Sequence, residues 1–104
     1  MKEITALELK KLKDTGADFQ LIDVREDHEV EICEMGGEHI AMGTVMDHLD
    51  KISKTKQVIV HCRSGARSGA ICQALEAKGY TNVYNLKGGI LAWANDVDTS
   101  LTKY

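Results

Sequence analysis

"QVIVHCRSGARSGAICQALEAKGYTNVYNL", residues 57–86, decides the fold. Its opening "QVIVH" is rich in β-branched residues, which predicts a central strand. Over residues 66–80, Ala70, Ile71, Ala74, Leu75 and Ala77 recur at helical spacing, and Gly79 supplies the stop. "NVYNL", residues 82–86, reads as another strand. Strand, helix and strand in immediate succession form a βαβ unit, whose two strands lie parallel in one sheet.

The flanking sequence extends the same alternation. "ITALELKKLKDTG", residues 4–16, predicts a helix with Thr5 and Glu8 as a capping box and Ile4 and Leu9 as a hydrophobic staple. Gly16 suits the left-handed turn that ends it. "FQLIDV", residues 19–24, predicts a buried strand. "REDHEVEIC", residues 25–33, predicts a short helix with Glu26 and Asp27 at its positive end. "GGEHIAMG" reads as a turn leading into short extended structure. In "VMDHLDKIS" the spacing of Met46, Leu49 and Ile52 predicts one or two helical turns. "GGILAWAND" opens a last short helix, anchored by Ile90 and Trp93, and "VDTSLTKY" carries no pattern. The result is an open, largely parallel α/β sheet, in which ligands bind beyond the carboxyl ends of the strands. Three such ends are expected to meet: Asp23 to Arg25, Cys62 to Arg67, and Lys87 to Gly89.

Composition narrows the classes of function. The chain has 104 residues, enough for one domain with its own core. A formal net charge of −3 gives no field suited to nucleic acid or an anionic membrane. No apolar run approaches membrane-spanning length, and "MKEITALELK" has no signal-peptide core. Three cysteines without a C-x-x-C pair argue against a disulfide framework and a structural zinc site, and the cytoplasm is the expected compartment. No metal or cofactor is expected. His28, His39 and His48 lack ligand spacing.

The chemistry is expected at Cys62. A cysteine between a strand and a helix N-terminus faces unpaired backbone N–H groups, and Arg63 and Arg67 add positive charge. Ser64, Gly65 and Ala66 are small enough for the chain to curl and aim successive N–H donors inward, as an anion nest. Arg67 is placed to close the rim and grip an oxyanion with its fork of donors. Cys62 is therefore read as a nucleophile rather than a small core residue. His61 points to the opposite face of the strand and is not expected to act as its base. Cys72, on the apolar side of the helix, is expected to be buried and inert. Cys33 is a candidate second thiol, and the carboxylates from Glu26 to Glu34, Glu29 among them, are expected to form a solvated face. Gly88 and Gly89 are expected to let the backbone approach the Cys62 loop closely.

Three stretches, "LIDVRE" (21–26), "VIVHCRSGARS" (58–68) and "NLKGGILAW" (85–93), resemble the rhodanese family, in order and over nearly the whole chain. The resemblance implies an α/β domain spanning residues 1–104: three layers, with a central, mainly parallel five-stranded sheet and helices on both faces. It implies a sulfurtransferase in which Cys62 accepts sulfane sulfur from a small anionic donor such as thiosulfate, becomes a persulfide and passes the sulfur on. By position, Arg63, Ser64, Gly65, Ala66 and Arg67 form the anion cradle, and Asp23, Arg25 and Ser68 support it. The loop from Cys62 to Arg67 is C-x4-R, six residues. Phosphatase relatives use a loop one residue longer, which suits a phosphoryl group rather than one sulfur atom. The alternatives are a non-catalytic relay or interaction module, a cysteine phosphatase, and an arsenate-type enzyme pairing Cys62 with Cys33. The family's usual "GHIPGA" is replaced by "GGEHIAMGTV", which has no proline. This variant is similar to rhodanese domains fused to E1-like adenylyltransferases, which implies a sulfur-acceptor protein as a partner.

Overall fold

The computed structural model describes residues 1–104. Five strands lie in one sheet: β1 (Lys2–Ile4), β2 (Phe19–Asp23), β3 (Glu38–His39), β4 (Gln57–His61) and β5 (Val83–Leu86). Their order is β1-β5-β4-β2-β3, and every pairing is parallel. The helices are α1 (Ala6–Asp14), α2 (Asp27–Ile32), α3 (Ala66–Ala77) and α4 (Gly89–Asp96), with a 3₁₀ helix over Met42–Lys51.

The alternation along β4 explains the three layers. Val58, Val60 and Cys62 belong to one core cluster, with Ile71, Cys72 and Leu75 of α3 and Val45 of the 3₁₀ helix. Ile59 belongs to the other, with Leu9 of α1 and Ile90 and Trp93 of α4. Successive side chains on a strand face opposite ways, so one five-residue run feeds two cores. A parallel sheet covered on both faces favours such β-branched runs.

α1 begins as its sequence dictates. The Thr5 side chain accepts from the Glu8 N–H at 3.1 Å, and Glu8 accepts from the Thr5 N–H at 3.0 Å. This capping box is worth about 1 kcal/mol.

Two local features go beyond the sequence expectations. Residues 2–4 form an edge strand paired with β5, although nothing in "MKEI" marks a strand. It is specified by its partner, through Lys2↔Tyr84 and Ile4↔Leu86. The segment 42–51 winds as a 3₁₀ helix interrupted at His48 (φ −128°, ψ 32°). Met42 and Val45 before the break, and Leu49 and Ile52 after it, reach the core, while Met46 stays exposed.

No helix is long and apolar enough to cross a membrane.

Candidate active site

The three strand ends do meet. β4 ends at His61 and delivers Cys62, whose residue is only 1 % exposed. The loop then turns through Gly65 at φ 109°, a left-handed conformation that a side chain would strain, and enters α3. Its curl brings donors onto the sulfur. The Gly65 N–H lies 3.1 Å from Cys62 Sγ, the Ser68 N–H 3.5 Å and the Ser68 hydroxyl 3.3 Å. Burial pushes the Cys62 thiol pKa up. The Ser68 hydroxyl and the N–H groups of Ser68, Gly65 and Ser64 push it down by more, so it lies below the ordinary thiol value. Ser64 and Ala66, on the rim, are exposed.

The back of the loop is held by α4. Its amides at Ile90 and Leu91 donate to the carbonyls of Cys62 (3.0 Å) and Arg63 (3.1 Å). Gly89 makes this approach possible. A Cβ there would stand 2.4 Å from the Arg63 carbonyl oxygen and 2.6 Å from that of Cys62. The expected close approach is thus located at Gly89.

Arg67 closes the loop in position, but its fork does not face an open anion site. Its terminal nitrogens bind the two Glu29 oxygens at 2.6 and 2.8 Å. This corrects the reading of Glu29 as part of a solvated face. Glu29 is buried, accepts also from the Tyr104 phenol at 2.7 Å, and caps α2 by accepting from the Glu26 N–H. Arg67 beside it, chiefly, holds the Glu29 carboxyl well below the usual carboxylate range. Arg63 likewise turns away from the loop interior, donating through Nε to the Tyr104 carbonyl oxygen at 2.6 Å, with the Tyr104 ring centre 5.0 Å from its guanidinium.

Asp23 and Arg25 form a bracket beneath the site. Arg25 is fully buried and donates to Asp23 (2.8–3.2 Å), to the carbonyls of Glu29 (3.2 Å) and Cys33 (2.8 Å), and to the Tyr104 phenol (3.1 Å). Burial opposes the charge on both partners, but their pairing prevails: Asp23 is held below its ordinary pKa and Arg25 above. His61, on the opposite face from Cys62, is buried 3.7 Å from Asp23, and desolvation lowers its pKa.

The other cysteines separate cleanly. Cys72 lies in the α3-side core, and burial, chiefly, pushes its thiol up to about 12. Cys33 packs against the α1–α4 side, across the sheet from Cys62, and all three thiols are free.

Three site residues escaped the sequence reading. Glu29 carried a signal, because it stands three residues after Glu26 as the return half of a capping box. Asn85 also carried one. It shares its strand face with Val83, the face of Cys62, and accepts from the Ser68 hydroxyl at 2.5 Å. Tyr104 carried none.

The six-residue loop, the paired arginines and the Gly88–Gly89 support coincide with a match to the family model for the rhodanese-like domain over residues 5–96. The chain belongs to the rhodanese-like family. It is 37 % identical over 97 residues to the putative sulfurtransferase YtwF of Bacillus subtilis, covering 92 % of this chain and 93 % of that protein. It is 29 % identical over 104 residues to the probable adenylyltransferase/sulfurtransferase MoeZ of Mycobacterium tuberculosis, covering 97 % of this chain but 26 % of that protein. Among solved structures it superimposes on a rhodanese-like domain protein from Staphylococcus aureus with a TM-score of 0.85 and 32 % identity, covering 100 % and 99 % of the two chains. The rhodanese-like architecture is therefore that of the family, with a sheet that is wholly parallel.

Proposed function

We propose that this rhodanese-like domain is a sulfurtransferase that carries sulfane sulfur as a persulfide on Cys62. The observation that supports this most is the ring of donors around one buried sulfur: the N–H groups of Gly65 and Ser68 and the Ser68 hydroxyl, all within 3.5 Å. Such a ring lowers the thiol pKa and leaves the thiolate poised for attack. With thiosulfate as donor, the Cys62 thiolate attacks the sulfane sulfur. A new S–S bond forms, the donor's S–S bond breaks, and sulfite leaves with the electron pair. A nucleophilic acceptor then attacks the outer sulfur and returns the Cys62 thiolate. Sulfur moves at constant total oxidation state, so no external oxidant or reductant is needed.

The surface around the loop supports a small donor and an acceptor that comes to the loop. The largest cavity, about 460 Å³, is lined by Leu49, Asp50, Lys54, Lys78 and Tyr80, and none of the three cavities reaches Cys62. The relatives named as sulfurtransferases, one of them joined to an adenylyltransferase, favour a protein as the final acceptor.

Intact mass spectrometry tests the reading. Thiosulfate should add the mass of one sulfur atom, and cyanide should remove it as thiocyanate. Cys62→Ser should show neither change; sulfur loading and release that survive in this variant would overturn the proposal.

A further inference from the structure

The Ser68 hydroxyl carries one proton and has two neighbours that can take it. Cys62 Sγ stands 3.3 Å away and Asn85 Oδ1 2.5 Å away. The orientation of the Asn85 amide is fixed by its other end. Nδ2 lies 3.0 Å from the Gly65 carbonyl, which only accepts, so the nitrogen faces Gly65 and the oxygen faces Ser68. Gly65 and Gly69 leave the amide its space. A Cβ at Gly69 would lie 3.3 Å from Nδ2, and one at Gly65 3.7 Å. Ser68 is fully buried and Asn85 is 3 % exposed, so an amide oxygen deprived of its partner finds little water to replace it.

The proton count follows from these contacts. With Cys62 as a thiol, the S–H donates to Ser68 Oγ and the hydroxyl proton stays on Asn85, so every group is satisfied. With Cys62 as a thiolate, the sulfur can only accept. The hydroxyl then turns to it, and Asn85 Oδ1 is stranded. When a persulfide forms, the negative charge passes to the outer sulfur. Sγ becomes the neutral bridging atom, and the Ser68 proton is free to return to Asn85.

We propose that Asn85 is a positioning residue that competes with Cys62 for the Ser68 proton. It thereby favours the states in which Sγ is neutral, the thiol and the persulfide, over the free thiolate. Its use in sulfur transfer rests on the persulfide reading above; the competition for the proton does not. Asn85 acts against the full lowering that Ser68 and the loop amides would otherwise impose, and so preserves the driving force for sulfur to load.

The test is a titration of the Cys62 thiolate by its ultraviolet absorbance, with the matched Cys62→Ser protein subtracted. Asn85→Leu should lower the Cys62 pKa by about one unit, the size of one net hydrogen bond. In a Ser68→Ala background the same substitution should leave the pKa unmoved. A merely structural Asn85 would act by releasing the Gly65 carbonyl and slackening the loop. The sulfur would then lose N–H donors, and the pKa would rise in both backgrounds, which would overturn the proposal. A second measurement needs no Asn85 variant. In the unsubstituted protein at low pH, the infrared S–H stretch of Cys62 should be shifted by hydrogen bonding, and Ser68→Ala should abolish that shift. A Cys62 S–H stretch without such a shift would also overturn it. Neither readout requires sulfur loading, so failure of the persulfide reading is seen separately, by mass.

Discussion

Cys62 and Cys72 occupy the same core cluster and are 1 % and 0 % exposed, yet their thiol pKa values move in opposite directions. Burial alone raises both. The difference lies in the surrounding hydrogen-bond donors. Cys72 sits within α3, where backbone N–H groups are committed to the helix ladder and Glu76 adds a like charge one turn on. Cys62 stands just before that helix, where the Ser68 hydroxyl and the N–H groups of Ser68 and Gly65 converge on its sulfur. The supply of uncommitted donors sets the two thiol pKa values apart, although Cys62 and Cys72 stand only ten positions from each other and share one core.

The largest effect that would break the comparison is an exchange of roles. Cys62→Ser should lose all sulfur loading, whereas Cys72→Ser should load at an unchanged rate. Comparable loss in both, measured by intact mass, would mean that burial rather than donor supply distinguishes the site.

Next in size is the support behind the loop. Gly89→Ala inserts a Cβ within 2.6 Å of two loop carbonyl oxygens at φ 60°, so the donors around Cys62 must shift. Displacement on the scale of an ångström costs about 100-fold in rate. The turnover of Gly89→Ala with thiosulfate and cyanide should fall by about that factor, while Gly16→Ala, also at positive φ but in open space, should leave turnover intact.

A smaller effect concerns the Glu29–Arg67 pair that fixes the start of α3. Glu29→Gln should cost about 2 kcal/mol of stability at neutral pH. The Glu29 pKa in the folded protein is depressed below its ordinary value of 4.5. Its contribution is therefore fully present above that value and fades as pH falls through the folded-state value. Denaturation midpoints of the two proteins should differ at pH 7 and converge in strong acid. A gap that widened in acid would reverse the assigned sign.

The smallest effect sharpens the inert side. Cys72→Ala should cost about 1 kcal/mol in urea denaturation, the value for losing a small buried side chain. A cost near zero would mean that the core closes around the missing sulfur.

The features legible in the sequence were those with a local cause. The βαβ unit, the Thr5–Glu8 cap and the loop around Cys62 each follow from neighbouring residues whose propensities agree. Cys72 could be placed in the core because helical spacing fixes its face. Features set by distant partners were not legible. β1 exists because β5 offers it an edge. Glu29 leaves the solvent because Arg67, far along the chain, binds both its oxygens. Tyr104 reaches Arg25 and Glu29 from the end of a segment with no periodic pattern. Met46 is exposed although it stands three residues before Leu49, because the helical turn is interrupted between them at His48. Asn85 lies between these cases: strand parity gives its face, but only the packing of Ser68 gives its partner.

The two hydrogen bonds from α4 to the Cys62 loop have a directional consequence. A trans peptide is a rigid plane, with its C=O and N–H pointing opposite ways. Pinning the Cys62 oxygen on Ile90 orients the Arg63 N–H, and pinning the Arg63 oxygen on Leu91 orients the Ser64 N–H, one of the groups that lower the thiol pKa. Each plane works as a small lever with its fulcrum on α4. The helix thus steers a dipole toward the sulfur through two carbonyls, with a sequence that contains no ionised group before Asp96.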